Sequence, residues 1–305
     1  MNIAFAGTPH FAATVLGGLI SSPHEVGLVI SQPDSRRGRG RRSAPTPVAQ
    51  LARSHDLPLR QPASISHLSD ELSYCDALVV AAYGQILRPD TLYATTHGAY
   101  NVHASLLPKY RGAAPVERAI ISGETETGVT IIRMDEGLDT GPMALQRPVA
   151  ISPEMNAGEL TDLLARTGAK AIVEGLNFLQ RNALALVDQD SRYATYASRI
   201  SDQDRVIRWS GDVGEVHDQI RALAPHIGAR TFHPGVEGPV KIWRSKILDR
   251  AAVSSEAGWL DAENGRILVY CGKGCLEVLE LQVPGGRRLR AREFLLGNTL
   301  EGGFA

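Results

Sequence analysis

Two polar side chains end an apolar run in the middle of the chain, Asn101 and His103 of Asn-Val-His. Residues two apart on a strand project from the same face of a sheet, so we predict that this amide and this imidazole lie side by side. Both groups donate hydrogen bonds, and paired donors can stabilise an oxygen that gains negative charge in acyl transfer. The alternative is a polar strand end whose side chains only bind loop backbone.

A second polar segment, residues 135–142, follows an apolar run and is rich in glycine and acids. A carboxylate from this segment that reached His103 would favour the charged imidazolium. The same carboxylate could accept a proton from an attacking amine, directly or through water. By spacing alone, Asp135, Glu136 and Asp139 are equivalent candidates for this role.

Short apolar runs alternate with amphipathic stretches through the first half of the chain, which predicts a parallel sheet with right-handed crossovers. Open α/β sheets bind ligands at the carboxyl ends of their strands, where Asn101 and His103 are expected. We therefore predict an α/β, Rossmann-like, doubly wound and mostly parallel sheet within residues 1–186. Strands are predicted at Ile3–Ala6, Val26–Ser31, Ala77–Ala82, Ala99–His103, Gly128–Arg133 and Ala144–Ile151, and helices at Phe11–Ile20, Val48–His55 and Ala157–Gln180.

The turn after the first predicted strand reads Gly7-Thr-Pro9, which departs from the Gly-x-Gly-x-x-Gly of dinucleotide-binding sites. Because Pro9 lacks the amide that a pyrophosphate would bind, a nicotinamide oxidoreductase is disfavoured. Thr8 is expected to cap the first helix, with Pro9 at its first position.

The polarity and periodicity of the sequence change after residue 186. Residues 187–204 are polar and aperiodic, and we predict that they form a linker. Residues 205–305 contain one helical pattern, Asp212–Ala224, and then short strand patterns separated by glycine-rich turns. This arrangement is typical of a small β-barrel, and we predict an OB-like C-terminal domain.

The composition excludes several classes of protein. The net charge of −1 is not that of a globally basic nucleic-acid binder, although it leaves local patches open. Three cysteines, an odd number, predict a reducing compartment rather than a disulfide framework. Cys271 and Cys275 flank a glycine turn without a second ligand pair, so we expect two strand residues and no metal site. Lacking a leader or a long apolar run, the protein is expected in the cytoplasm, without a membrane partner.

The densest local charge is the run Arg36-Arg-Gly-Arg-Gly-Arg-Arg42, five arginines within seven residues. Like charges at this density repel one another unless a polyanion is near. A solvated surface loop is the alternative, but this run lies inside the predicted fold rather than in a tail. We therefore predict that it binds a phosphate backbone. The predicted contacts are Arg36, Arg37, Arg39, Arg41 and Arg42.

A second basic cluster lies in the predicted C-terminal domain. It contains the arginines of 287–292, and it could join the basic residues of 241–246 to form a positive face. The domain is close to charge balance, so this face must be local. Binding of a polyanion there would weaken steeply with added salt.

The motifs at 101–108 and 137–142, Asn-x-His-x-Ser-Leu-Leu-Pro and Gly-Leu-Asp-Thr-Gly-Pro, together resemble the folate-dependent formyltransferases. Four further segments extend the similarity over essentially the whole chain and narrow it to members whose acceptor is a tRNA. These segments are Phe5-Ala-Gly-Thr-Pro9, Ala82-Tyr-Gly-Gln-Ile-Leu87, Tyr110-Arg-Gly-Ala-Ala-Pro115 and Ala194-Thr-Tyr-Ala-Ser-Arg-Ile200.

The resemblance implies 10-formyltetrahydrofolate as the formyl donor and the amino group of methionyl initiator tRNA as the acceptor. It assigns catalysis to Asn101, His103 and Asp139, and so chooses among the three acids. It also implies a monomer with no metal, and it matches Arg39 to a loop arginine that enters the acceptor stem. The folate contacts that it implies are Ser105, Leu106, Leu107 and Pro108, with Gln85, Ile86, Leu87 and the backbone of 136–139 around the pteridine.

Two alternatives to this function stay open at this stage. A formyltransferase for a nucleotide-sugar amine or for glycinamide ribonucleotide would use the same three side chains. The arginine run and the added C-terminal domain argue against both acceptors. A non-catalytic RNA-binding module would explain the basic clusters but not the paired motifs. His10, which stands where many relatives carry an acid, receives no role.

Overall fold

The computed structural model of the 305-residue chain describes residues 1–37, 42–252, 256–262 and 264–305. Two compact units contain these residues, and the chain passes between the units several times. The first unit consists of Met1–Gly112, Thr127–Val149 and Thr161–Ala197, and the second of Ala113–Glu126, Ala150–Leu160 and Ser198–Ala305. The division of the sequence at 1–186, 187–204 and 205–305 stays a prediction.

The described chain alternates strands and helices in its first half and is rich in strands near its end. The strands are β1 (Asn2–Gly7), β2 (Glu25–Ile30), β3 (Ser35–Arg37), β4 (Arg42–Ala44), β5 (Leu59–Arg60), β6 (Ala77–Ala81), β7 (Ala99–His103), β8 (Arg111–Gly112), β9 (Glu126–Arg133), β10 (Met143–Ala150), β11 (Tyr196–Ala197), β12 (Ala229–Thr231), β13 (Val240–Asp249), β14 (Leu260–Asp261), β15 (Ile267–Tyr270), β16 (Cys275–Gln282) and β17 (Leu289–Arg290). The helices are α1 (His10–Ile20), α2 (Pro47–Ser54), α3 (Ser69–Leu72), α4 (Pro89–Leu92), α5 (Pro115–Ile121), α6 (Ala157–Gln180), α7 (Val213–Leu223) and α8 (Ala291–Leu295), with 3₁₀ turns at Ile65–Leu68, Ser191–Tyr193 and Gln203–Arg205.

The first unit is built on a seven-stranded sheet in the order β10-β9-β7-β6-β1-β2-β5. The ladders from β5 through β7 are parallel, and β9 pairs with β7 in antiparallel fashion. All five residues of β6 are buried, as expected for a central strand covered on both faces. The predicted mostly parallel α/β sheet is confirmed. The strand order reverses on either side of β1, and open α/β sheets commonly bind ligands at the carboxyl ends of the strands beside such a switch point.

The turn from β1 into α1 differs in detail from the sequence prediction. Pro9 is the N-cap residue, so α1 begins at His10, and no side chain caps this helix end. The expected Thr8 cap is wrong, because the Thr8 hydroxyl donates to the Tyr83 carbonyl oxygen at 3.0 Å instead. Packing requires glycine at position 7, since a Cβ there would lie 2.6 Å from the Cβ of Ala12.

The second unit contains an antiparallel sheet in the order β12-β13-β16-β15-β14, with β17 paired to β16. A buried apolar cluster that includes Trp209, Ile220, Ile242 and Phe294 lies beneath it. The predicted β-rich C-terminal domain is confirmed, and its closure into a barrel stays a prediction. Burial raises the pKa of Cys271 to about 12, so this thiol packs as a small apolar side chain.

Three further features of the chain bear on function. Among the described residues, no helix is long and apolar enough to cross a membrane. The chain after α6 returns to the first unit, where Val187 forms an antiparallel bridge with Met143 and β11 pairs in parallel with β8. Residues 187–197 therefore lie against the elements that follow β7.

Replacement of Gly168 by alanine is expected to destabilise the first unit. A Cβ at this position of α6 would lie 2.6 Å from Cγ1 of Val102, the residue between Asn101 and His103. The helix must then shift away from β7, and such overpacking costs about 1–3 kcal/mol. The thermal midpoint of Gly168→Ala should fall below that of the wild-type protein.

Gly175→Ala in the same helix is the matched control. Its added Cβ would make an ordinary 3.5 Å contact with Leu145 Cδ1. Alanine is favoured over glycine in a helix by about 1 kcal/mol, so this midpoint should stay level or rise. Equal shifts in the two variants would contradict the close packing of α6 on β7.

The ion pair between Arg118 and Asp204 predicts a pH-dependent contribution to stability. Two guanidinium nitrogens of Arg118 each donate to a carboxylate oxygen of Asp204 at 2.8 Å. These bonds hold the pKa of Asp204 well below its ordinary value, with help from Ser201 and opposed by burial. A depressed folded-state pKa stabilises the fold above the unfolded pKa of about 3.9 and is lost as the pH falls.

Asp204→Asn should therefore lower the thermal midpoint at pH 7, and the difference from wild type should narrow as the pH falls below about 4. Hydrogen bonds to charged groups contribute about 1.5–3 kcal/mol, and the partial exposure of both side chains favours the lower value. Asp190→Asn is the control, because Asp190 pairs with Arg192 only two residues away at an exposed site. A pH-independent difference for Asp204→Asn would contradict the linkage.

Candidate active site

The carboxylate of Asp139 is the point on which the candidate site converges. Its Oδ1 accepts a hydrogen bond from Asn101 Nδ2 at 3.3 Å, and its Oδ2 accepts from the Gly112 N–H at 2.8 Å. Oδ2 also lies 3.7 Å from Nδ1 of His103. The structure therefore brings Asn101, His103 and Asp139 together, although Asp139 is 38 residues from Asn101 in the chain.

Both ring nitrogens of His103 face acceptors. The imidazole is buried, with 6% of the side chain exposed, and Nε2 lies 2.9 Å from the carbonyl oxygen of Tyr110. A carbonyl can only accept, so Nε2 carries a hydrogen. Nδ1 faces the Asp139 carboxylate beyond hydrogen-bond distance. The His103 ring therefore lies between the Tyr110 carbonyl and the Asp139 carboxylate.

The two other acids of the loop do different work. Asp135 Oδ1 accepts from the Gly137 N–H at 3.0 Å and from the Thr140 hydroxyl at 2.7 Å, so it shapes the turn. Glu136 is exposed. Of the three candidate acids, Asp139 is the one that the structure places against His103.

Backbone conformation brings Asp139 to this position. Asp139 has φ of 54°, in the left-handed region that a non-glycine residue seldom adopts, although aspartate tolerates it better than most. Gly141 follows so closely beside the Arg133 carbonyl that a Cβ would overlap its oxygen. Gly112 has φ of 116°, and a Cβ there would lie 2.9 Å from the Ala197 carbonyl oxygen. Glycine is therefore required on both sides of the carboxylate.

Hydrogen bonds with Thr195 and Gln189 hold the segment after β7 and the Asp139 loop in place. Neither residue was among the predicted site residues. Thr195 Oγ1 accepts from the Tyr110 N–H at 2.8 Å, and the Thr195 carbonyl accepts from the Arg111 N–H at 2.8 Å. Gln189 donates to the carbonyl of Asp139 at 2.7 Å and accepts from the Arg111 guanidinium. Both residues belong to the polar, aperiodic segment. Thr195 lies in the motif at 194–200 but received no role, and neither periodicity nor motif distinguished Gln189.

The predicted folate motif, residues 105–108, divides into buried and accessible members. Ser105 is fully buried and donates to the Lys109 carbonyl at 2.7 Å. Leu107 is also buried, and its backbone N–H and C=O bind Thr130 and Gln146. Leu106 and Pro108 are partly exposed. The polar groups of Ser105 and Leu107 thus bind protein, and the accessible surface of the motif lies at Leu106 and Pro108.

The predicted pteridine segment shows a similar division. The Gln85 side chain accepts from the Ile65 N–H at 3.0 Å and donates to the Ala63 carbonyl at 3.1 Å, so it secures a neighbouring turn. Leu87 is buried, whereas the Ile86 side chain is 92% exposed. Leu138, beside Asp139, is also 61% exposed. Ile86 and Leu138 are therefore large apolar side chains that are open to solvent.

The arginine run is described only in part. The backbone of β3 and β4 forms a two-stranded antiparallel ladder that pairs Arg37 with Arg42. Of the five arginines predicted to bind phosphate, Arg39 and Arg41 lie outside the described residues. The ladder holds the two ends of the run together after β2, a strand of the main sheet.

The second unit carries cations around one tryptophan. The Arg288 guanidinium carbon lies 3.7 Å from the ring centroid of Trp243, and Lys241 Nζ lies 5.2 Å from it. Burial lowers the pKa of Lys241, and the neighbouring charges of Arg230, Arg205 and Arg288 lower it further. Within the predicted basic face, Arg244 and Lys246 are exposed on alternate positions of β13, and the arginines of 287–292 are exposed.

Sequence comparisons cover both units. Residues 1–176 match the formyl transferase family, and residues 199–299 match the formyl transferase C-terminal domain. A methionyl-tRNA formyltransferase from Rubrobacter xylanophilus is 67% identical over 302 residues, 99% of each chain. A methionyl-tRNA formyltransferase from Syntrophomonas wolfei is 43% identical over 310 residues, 99% of this chain and 98% of its own.

A solved structure shows the same fold at low identity. The N-formyltransferase from Helicobacter canadensis, in complex with folinic acid and dTDP-3-aminofucose, aligns with a TM-score of 0.70 at 17% identity. The alignment covers 95% of this chain and 100% of that chain. Together the matches define a formyl transferase. The chain belongs to the formyl transferase family, and its full-length relatives are methionyl-tRNA formyltransferases.

Proposed function

We propose that this enzyme transfers the formyl group of 10-formyltetrahydrofolate to the free amino group of methionyl initiator tRNA. The product would be formylmethionyl-tRNA for translation initiation. The names of the full-length relatives support this reaction. In the structure, the observation that carries the proposal is the convergence of Asn101, His103 and the Gly112 N–H on the carboxylate of Asp139.

In the proposed reaction the neutral amine attacks the formyl carbon, and the carbonyl electrons move onto the formyl oxygen. Asn101 has a second N–H beyond the one that faces Asp139, and we assign it to that oxygen. His103 donates through Nδ1–H, since Nε2 is bonded to Tyr110 whereas Nδ1 lacks a short partner in the described site. Two donors that meet a developing oxyanion in a buried site stabilise the tetrahedral intermediate.

Asp139 has two roles in this proposal. Its carboxylate faces Nδ1 of His103 across 3.7 Å and helps to orient the ring, and it accepts the proton that the attacking amine loses, directly or through water. The intermediate then collapses as the bond between the formyl carbon and the folate nitrogen breaks. That nitrogen takes up a proton, so a formamide and tetrahydrofolate leave the site.

The folate would lie against the crevice at the strand ends. The exposed side chains of Ile86 and Leu138 support an apolar contact with the flat pterin and aryl rings. The partly exposed Leu106 and Pro108 extend that contact. We expect backbone groups of 85–87 and 136–139 to recognise the polar edge of the pterin, because the Gln85 side chain is already engaged.

The acceptor is proposed from the two basic regions. The arginine run follows β2 of the main sheet, and its density of charge fits a phosphate backbone. In the second unit the crowding of Arg205, Arg230 and Arg288 around Lys241 gives a local positive field despite the net charge of −1. We therefore propose the second unit as a tRNA-binding domain, in a monomeric enzyme that works in the cytoplasm.

Formyl transfer by the purified protein is the direct test. With 10-formyltetrahydrofolate and methionyl initiator tRNA, the wild-type protein should form formylmethionine, and elongator methionyl-tRNA should react poorly. Asn101→Ala and Asp139→Asn should each lower kcat by about 100- to 1000-fold, the typical loss for one oxyanion donor or its support. Asp135→Asn is the matched control from the same loop, and it should stay within a few-fold of wild type. Near-wild-type rates for Asp139→Asn would exclude the proposed roles.

The arginine run is tested by the salt dependence of tRNA binding. Replacing Arg36, Arg37, Arg39, Arg41 and Arg42 by alanine should weaken binding and reduce the slope of log K against log salt by about 3 to 4. The matched control replaces the same five residues by lysine and keeps their charge. The lysine variant should retain most of the slope. An unchanged slope in the alanine variant would show that the run does not bind phosphates.

A further inference from the structure

Gln189 connects the two backbone segments that present the candidate catalytic groups. Its Nε2 donates to the carbonyl of Asp139 at 2.7 Å and to the carbonyl of Gly141 at 2.8 Å. Its Oε1 accepts from Arg111 Nε at 3.1 Å and from Arg111 Nη2 at 2.8 Å. One amide therefore uses both donor hydrogens and its acceptor within the site.

Arg111, the partner of the Gln189 side-chain oxygen, is itself held in place. Arg111 is buried, with 3% of the residue exposed, and its main-chain N–H donates to the Thr195 carbonyl. Its neighbour Gly112 donates the N–H that binds Asp139 Oδ2. Asp139 is thus held twice from the same short strand, through its carboxylate by Gly112 and through its carbonyl by the Arg111–Gln189 pair.

The backbone at both ends of the bridge is strained. Asp139 has φ of 54° and Tyr110 has φ of 61°. Left-handed backbone is unfavourable for most non-glycine residues, so it persists where neighbouring contacts hold it. The Gln189 amide captures the carbonyl of Asp139 itself, which fixes the peptide plane on the C-terminal side of the residue. The guanidinium fork polarises the Gln189 amide and strengthens its donors.

We propose that Gln189, oriented by Arg111, is a positioning residue for Asp139 in formyl transfer. This inference rests on the proposed function of the site. Gln189 acts on the reaction through the left-handed conformation of Asp139 and so through the direction of its carboxylate toward Asn101 and His103. A displacement of about 1 Å in such a group can cost about 100-fold in rate. The carboxylate acts on the reacting atoms, so we expect the effect in kcat more than in KM.

Gln189→Leu removes both donors and the acceptor at nearly constant volume. We expect kcat to fall by about 10- to 100-fold, with KM for either substrate within about threefold of wild type. Gln219→Leu is the matched control, because Gln219 Nε2 also donates to two backbone carbonyls, of Asp204 and Val206, both at 2.8 Å. The control should lose similar thermal stability while kcat stays within twofold.

A double-mutant cycle separates positioning from general damage. If Gln189 acts through Asp139, adding Gln189→Leu to Asp139→Asn should lower kcat by less than twofold further. Multiplication of the two single effects would overturn the inference. So would a kcat within twofold of wild type in Gln189→Leu, or an equal loss in Gln219→Leu.

Two further variants keep the test decisive if Gln189→Leu does not fold. Gln189→Glu preserves an acceptor for Arg111 but opposes carboxylate oxygens to the two carbonyls, and Arg111→Lys removes the fork while it keeps the charge. Both should show the same loss of kcat at nearly constant KM, smaller in Arg111→Lys. Unchanged kcat in both would overturn the inference. Formyl transfer by the wild-type protein is measured beside them, and its absence would instead count against the proposed function.

Discussion

The convergence of Asn101, Gly112 and His103 on the Asp139 carboxylate is the interaction on which the rest of the site depends. Two partners come from the end of β7, which is fixed in the centre of the sheet. The carboxylate comes from the loop between β9 and β10, and β9 is the antiparallel neighbour of β7. In that pairing Thr130 lies opposite His103 and Arg133 opposite Tyr100, so β9 ends beside the start of β7. The loop then turns back along β7, and this turn brings Asp139 to Asn101 across 38 residues of sequence.

The sequence predicted the parts of this arrangement that depend on period and burial. Central strands buried on both faces read as continuous apolar runs, so β1, β6 and β7 were located within about a residue of their observed ends. The pairing of Asn101 with His103 followed from the two-residue repeat of a strand. The expected Thr8 cap is wrong because the Thr8 hydroxyl donates to the carbonyl of Tyr83, 75 residues away. The residues around Thr8 do not predict that partner.

The remaining parts of the site depend on loop geometry. Asp135, Glu136 and Asp139 differ little in sequence, and what separates them is the backbone: Asp139 is left-handed, while the Asp135 side chain folds back onto its own turn. A single sequence does not encode such conformations visibly, so the choice required a family resemblance. Gln189 was missed for a related reason, since a polar residue in an aperiodic segment looks like linker until its partners are known.

The three candidate catalytic side chains differ in how firmly the backbone holds them. Asn101 and His103 lie on a paired strand, where main-chain bonds and the packing of α6 at Val102 leave little room to move. Asp139 lies on a loop, and hydrogen bonds from the Gly112 N–H and from the Asn101 and Gln189 side chains hold it there instead of a strand ladder. In the proposed reaction Asn101 and His103 donate to the oxyanion, and oxyanion donors work best when they are fixed beforehand. The site thus places its proposed oxyanion donors on the sheet, and it holds its proposed proton acceptor on a loop through Gly112 and Gln189.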